Sequence, residues 1–318
     1  MGMKLAVRAR GLRKSFGEVV ALDGVDLDVD EGRVHGLVGP NGAGKTTLLG
    51  LLLGLAAADG GTLEVLGRPV RRTLALPDGV DGFVDGPGLY PSLTARQNLT
   101  AVASLRGART NGIDEALAQV GLTDVADDRV SGFSLGMRQR LGLSAALLTE
   151  PRVLVLDEPA NGLDPAGTRQ VHRVLCALAA GGTSIIISSH RMDDLAALCD
   201  DVTILATGRV VFSGPVAKLD SEVGALDYRL RTSDPIAARA IAATTPGVAI
   251  LPGDPLLQRQ YAESLLIRGS VPVLDELVAI LIRAGVAVRE LAPIVAPLEA
   301  AFLTLTGGPA AGDAQELS

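Results

Sequence analysis

The stretch Gly39-Pro40-Asn41-Gly42-Ala43-Gly44-Lys45-Thr46-Thr47 constrains this chain more than any other part of it. It fits the phosphate-loop pattern G-x-x-x-x-G-K-[ST]. The apolar residues Val34-His35-Gly36-Leu37-Val38 before it predict a short strand. Residues 48–58 after it, rich in Leu and Ala and free of charge and Pro, predict a buried helix. The physics needs that order. Glycines let the backbone curl so that successive N–H groups face inward and make a nest for anionic oxygens. The following helix aims its positive end at the same point. Lys45 then reaches the β- and γ-phosphates, and the Thr46 hydroxyl ligates magnesium. The alternative is a glycine-rich turn with an incidental lysine. Against it, lysine occurs only at Lys4, Lys14, Lys45 and Lys218 in a chain that otherwise uses arginine, so a compact point charge here points to chemistry.

The 318 residues, 47% apolar, can bury a core large enough for one sizeable domain and a smaller one. Aromatics are only 3%, so that core is built from Leu, Val, Ala and Ile. A formal charge of −7 argues against wrapping nucleic acid. Cys176 and Cys199 lie in apolar helical contexts and are expected to be small buried side chains. No signal peptide is recognisable, and no apolar run reaches the roughly 18–20 residues that cross a bilayer. A cytoplasmic protein is expected, one that needs something else to cross a membrane.

Residues 4–10 and 25–29 alternate polar with apolar, which predicts half-exposed antiparallel strands. Between them Phe16 falls in an expected loop, as either a core plug or a stacking platform for a base. From residue 93 to 148 the pattern turns helical, with Gly107 and Gly121 as stops. Ser134, in Phe133-Ser134-Leu135-Gly136-Met137, is a good N-cap for the last of these helices. A second anion site there is the sharper alternative, but taken alone the motif is a capped helix. Val153-Leu154-Val155-Leu156 reads as a strand buried on both faces, delivering Asp157 and Glu158 to its carboxyl end. After a phosphate loop, one acid serves magnesium and the other the attacking water. Ile185-Ile186-Ile187 makes a second buried strand, and the His190 that follows it is placed for a phosphate-facing role. A hairpin closes around Thr207-Gly208. Beyond Gly214, elements ordered βαββαβ predict a ferredoxin-like unit, followed by a short helix over 297–305 and a loose tail over 307–318.

Together these pieces resemble the ATPase subunit of an ATP-binding cassette (ABC) transporter over about residues 4–220. Five motifs occur in the family's order: the Walker A loop at residues 39–46, the signature at 133–137 with Leu135 where Gly is usual, Walker B at 153–158, the D-loop at 161–164, and the switch histidine at His190. The resemblance implies an α/β fold of P-loop NTPase type, with a mixed, mainly parallel sheet, an antiparallel β subdomain and a helical subdomain at about 93–148. The C-terminal unit, 221–306, resembles the accessory domain of bacterial drug- and antibiotic-export ATPases. Phe16 then falls where the family stacks adenine. Asp85 stands where the family's Q-loop has Gln, shorter and without a donor, though a carboxylate can still ligate magnesium.

The resemblance implies ATP and Mg2+ as cofactors. Asp157, Thr46 and Asp85 are implied at the metal, Glu158 as base and His190 at the γ-phosphate. Gly39, Pro40, Asn41, Gly42, Ala43, Gly44, Lys45, Thr46 and Thr47 would line the nucleotide together with Phe16 and Asp164. Ser134 and Gly136 would come from a facing protomer. One chain carries one signature and one Walker A, so the family pattern implies a head-to-tail dimer, here a homodimer, closed over two ATP molecules. It also implies a separately encoded permease, a place on the cytoplasmic face of the membrane, and export of a small molecule. Two other readings compete. A soluble ABC-type ATPase of DNA repair or translation would carry heptads, clustered cysteines or a second cassette. A non-hydrolysing nucleotide sensor is disfavoured by the Asp157-Glu158 pair.

Overall fold

Alternating polar and apolar residues make β1 (Leu5–Phe16) and β2 (Val19–Asp30) a long antiparallel hairpin with one face buried. Phe16 is therefore not in a loop: the ladder continues to the pair Phe16–Val19, so it ends a strand, 55% exposed. With β4 (Gly60–Val65) and β5 (Arg68–Pro69), the hairpin forms a four-stranded antiparallel sheet in the order β2-β1-β4-β5. Described here, from a computed structural model, are residues 4–70, 75–218, 224–251 and 264–306; the expected tail at 307–318 lies outside them.

β3 (Val34–Val38), β7 (Val153–Asp157) and β8 (Ser184–Ser188) are buried at every residue, which suits only the middle of a sheet covered on both faces. They lie there, in a six-stranded sheet ordered β10-β9-β3-β8-β7-β6 with β6 (Val80–Phe83), β9 (Asp201–Ala206) and β10 (Arg209–Pro215). All neighbouring pairs are parallel except β9–β10. Thr207 and Gly208, both at positive φ, close that last hairpin.

Helix α1 (Lys45–Leu52) starts earlier and ends sooner than residues 48–58 suggested. Gly54, at φ 67°, stops it. The N–H of Leu55 reaches the carbonyl of Gly50 at 2.8 Å and that of Gly54 reaches Leu51 at 3.2 Å, a Schellman pattern. Apolar composition continued past this signal, and the backbone obeyed the glycine. Leu48, Leu49, Leu51 and Leu52 are buried in one core with both sheets, so the phosphate loop is anchored at its helical end.

The helical section comprises α2 (Ala95–Arg106), α3 (Ile113–Gln119) and α4 (Leu135–Leu147). α2 has a complete capping box of Thr94 and Gln97, and Gly107 ends it at φ 66°. Buried Asp81 on β6 ties this section to the sheet, accepting from Arg106 at the end of α2 and from Thr149 at 2.8 Å. α5 (Pro165–Ala180) and α6 (Met192–Leu198) follow β7 and β8. Cys199 is buried as expected, but Cys176 is exposed, because it falls off the Thr168, Val171, Leu175 face by which α5 packs.

The chain divides into two compact units, Met1–Pro215 and Val216–Ser318. The first unit runs to the end of β10, which stays paired with β9 as far as Pro215–Asp201; the expected boundary at 220 lies outside the described residues. In the second unit the elements run β11 (Leu226–Thr232), α7 (Pro235–Thr244), β12 (Ala249–Ile250), β13 (Leu265–Gly269), α8 (Val271–Arg283), β14 (Val288–Pro293) and α9 (Pro297–Thr306). Its sheet is antiparallel, ordered β12-β13-β11-β14. Asp234 caps α7 and Pro235 opens it. Leu274, Leu277 and Leu281 of α8 bury against Tyr228, Leu230 and Ile267.

Candidate functional site

Strand order brings the sequence motifs together. The phosphate loop follows β3, His190 follows β8, Asp157 and Glu158 end β7, and Asp85 follows β6; these four strands are consecutive neighbours. Parallel strands share a carboxyl edge, and open α/β sheets bind ligands there. Residues scattered from 39 to 190 therefore meet on one rim.

Within the loop, Gly44 has φ 101°, and a Cβ on it would come 2.5 Å from the carbonyl oxygen of Ala21, so only glycine fits. The Lys45 ammonium donates to the carbonyls of Gly39 at 2.7 Å and Pro40 at 3.2 Å. Burial lowers its pKa below that of an ordinary lysine, while the charges of Glu158 and Asp157 pull it back up. Thr46 Oγ1 donates to Asp157 Oδ2 at 3.0 Å. A hydroxyl and a carboxylate so close form a pair of hard oxygen donors suited to a small divalent cation such as magnesium.

Ser188 was not singled out from the sequence, yet it organises both acids. Its hydroxyl, 0% exposed, donates to Asp157 Oδ1 and accepts from the N–H of Glu158 at 3.0 Å. The register pairs Asp157 with Ser188 across β7 and β8, so a short polar side chain directly after three isoleucines was the available signal. His190 Nδ1 lies 2.8 Å from Glu158 Oε2. A carboxylate only accepts, so this bond puts the ring proton on Nδ1 and turns Nε2 outward.

Glu158 and Asp85 are also strained. Their φ values are 50° and 58°, in the left-handed region that costs a non-glycine residue about 1–3 kcal/mol. Both border a cleft of about 380 Å³, with Asp157, Leu135, Gln139 and Asn161. Leu135, where the resembled family has glycine, lies over Gly162: a Cβ on Gly162 would sit 2.6 Å from its side chain. Gly162, at φ 71°, leaves the room that the Leu135 side chain occupies.

Ser134 caps α4, its hydroxyl accepting from the N–H of Met137 at 3.2 Å. Asp164 caps α5, accepting from Gly167 at 2.7 Å, a structural duty the sequence motif did not announce. Phe16 is exposed, with the Lys14 ammonium 5.1 Å from its ring centre. It is no core plug. Among the described residues, no helix is long and apolar enough to cross a membrane.

A family model described as "ABC transporter" matches residues 22–161. The daunorubicin resistance ATP-binding protein DrrA3 of Streptomyces coeruleorubidus is 35% identical, over 95% of this chain and 96% of its own. The bacitracin transport ATP-binding protein BcrA of Enterococcus faecalis is 36% identical over 69% of this chain and 72% of its own. A solved nucleotide-free ATP-binding cassette from an ABC transporter superposes with a TM-score of 0.61 at 25% identity, over 67% of this chain and 92% of that one. With the phosphate loop, the paired acids and the histidine on one sheet rim, the chain belongs to the ABC transporter ATPase family, whose members bind and hydrolyse ATP.

Proposed function

We propose that this chain is the ATP-hydrolysing subunit of a small-molecule exporter, working as a head-to-tail pair of copies beneath a separate membrane permease. The observation that carries the hydrolytic reading is the hydrogen-bonded set Thr46, Asp157, Ser188, Glu158 and His190 beside Lys45. Export is supported by the relatives' names, which speak of daunorubicin resistance and bacitracin transport. A drug, an antibiotic or a lipid-like molecule is the class of cargo those names suggest.

In this reading the amides of residues 39–47 cradle the phosphates, and Lys45 exchanges the Gly39 and Pro40 carbonyls for phosphate oxygens. Thr46 and Asp157 would hold magnesium, with Asp85 bordering the same cleft, and the ion would supply positive charge against the phosphates. Ser188 keeps Asp157 and the Glu158 backbone in register. Glu158 takes the proton of the attacking water, and His190 orients that carboxylate through Nδ1. Phe16 stacks on adenine. A complete site needs the Ser134 and Gly136 of a second copy, whose signature helix presents its positive end to the γ-phosphate. The loop containing Asp164 faces the same partner.

The test is a pair of variants assayed for ATP binding and for phosphate release. Glu158→Gln should bind ATP and hydrolyse it at least about 100-fold more slowly, the usual size of a general-base contribution. Lys45→Ala should lose binding or turnover. Wild-type rates in either would overturn the corresponding role.

A further inference from the structure

The turn that joins β9 to β10 lies against the phosphate loop. Gly208 donates its N–H to the carbonyl of Ala43 at 3.1 Å, and its own carbonyl accepts from the N–H of Asp23 on β2 at 2.8 Å. Arg209, the next residue, pairs with the Asp23 carboxylate. The turn is thus fastened to β2 by backbone and side chain, and from there it reaches the loop. β9 meets the loop a second time, at its start: a Cβ on Gly39 would sit 2.5 Å from the carbonyl oxygen of Leu205.

The peptide joining Ala43 to Gly44 is planar and trans, so its C=O and N–H point in opposite directions. Gly208 is the one donor to the Ala43 carbonyl among the described residues. With that carbonyl turned to Gly208, the Gly44 N–H is turned the other way, and it finds no acceptor among the described residues. A backbone donor held like this at the start of a helix suits an anionic oxygen.

We propose that Gly208 is a positioning residue for nucleotide binding: its N–H holds the Ala43 carbonyl so that the Gly44 N–H is aimed at a phosphate oxygen. The role rests on residues 39–47 being the phosphate cradle. Only glycine can fill it. At φ 75°, a Cβ on Gly208 would come 2.8 Å from the carbonyl oxygen of Ala21 and 3.3 Å from the Cα of Leu22. Both are backbone atoms that cannot rotate aside, so the turn itself has to back away and take its N–H off Ala43. The same Ala21 oxygen abuts Gly44, so β2 is a wall shared by loop and turn.

The test uses the full chain with Gly208→Ala, beside Gly67→Ala and Lys45→Ala. Leu66 and Gly67 make the turn from β4 to β5, both at positive φ like Thr207 and Gly208, and a Cβ on Gly67, at φ 74°, meets nothing within 4 Å. Gly67→Ala therefore carries the same backbone strain without the contact. The Kd for ADP with magnesium should rise about tenfold or more in Gly208→Ala, the loss of one hydrogen bond to a charged group, and by less than about twofold in Gly67→Ala. A Kd for Gly208→Ala within about threefold of wild type would overturn the proposal. So would an equal loss in both glycine variants, the mark of strain alone. Should Gly208→Ala fail to fold, hydrogen–deuterium exchange of the wild-type chain decides, because a turn that tightens nucleotide binding is protected by the nucleotide. Residues 205–210 should exchange at least about threefold more slowly with ADP and magnesium; unchanged exchange would overturn the proposal. If Lys45→Ala binds and hydrolyses ATP like wild type, the reading of the loop fails too; if it does not while Gly208→Ala keeps its affinity, only the turn assignment fails.

Discussion

His35, on the central strand that leads into the phosphate loop, is 3% exposed, and its Nε2 lies 2.8 Å from Thr203 Oγ1. Thr203 Oγ1 is in turn 2.8 Å from Ser213 Oγ. Burial pushes the imidazole pKa from 6.5 down to about 4. An unfolded chain takes up this proton near pH 6.5, whereas the folded one resists until about pH 4. Between those values the unfolded state binds more protons, so stability is full above pH 6.5 and falls as the pH drops. From the two pKa values, the loss between pH 8 and pH 5 is about 2 kcal/mol. The perturbation is His35→Gln, whose amide can still bond Thr203 but cannot titrate. The chain has no Trp, so far-UV circular dichroism in a urea series is the assay. The stability of wild type minus that of the variant should fall by about 2 kcal/mol from pH 8 to pH 5. A difference that stays flat, or grows as the pH falls, would refute the reasoning.

Two further outcomes concern the site. Ser188→Ala removes a donor from Asp157 and an acceptor from the Glu158 amide; turnover measured by phosphate release should drop about tenfold. Phe16→Ala removes the exposed ring; if it stacks on adenine, KM for ATP should rise about tenfold with turnover at saturation little changed.

The rim of the main sheet could be anticipated because its strands are short apolar runs that each deliver a polar residue, and such runs become neighbours in a parallel sheet. Helix ends marked by Gly107 and Ser134 were equally readable, since each cap satisfies backbone groups by itself. What escaped depends on contacts across the fold. α1 stops at Gly54 although the leucines and alanines run on. Phe16 belongs to a strand because Val19 pairs with it. Cys176 is exposed because α5 turns another face inward. Ser188 draws its interest from Asp157, which faces it across β7 and β8. The positive φ of Glu158 and Asp85 is likewise a product of the assembled sheet.

The central claim is that one chain supplies only half of each hydrolysis centre. Light scattering of full-length Glu158→Gln, with and without ATP and magnesium, tests it most directly. The account predicts the mass of two chains with the nucleotide and of one without it. A mass of one chain at saturating ATP, together with wild-type hydrolysis whose specific rate does not fall on dilution, would contradict it.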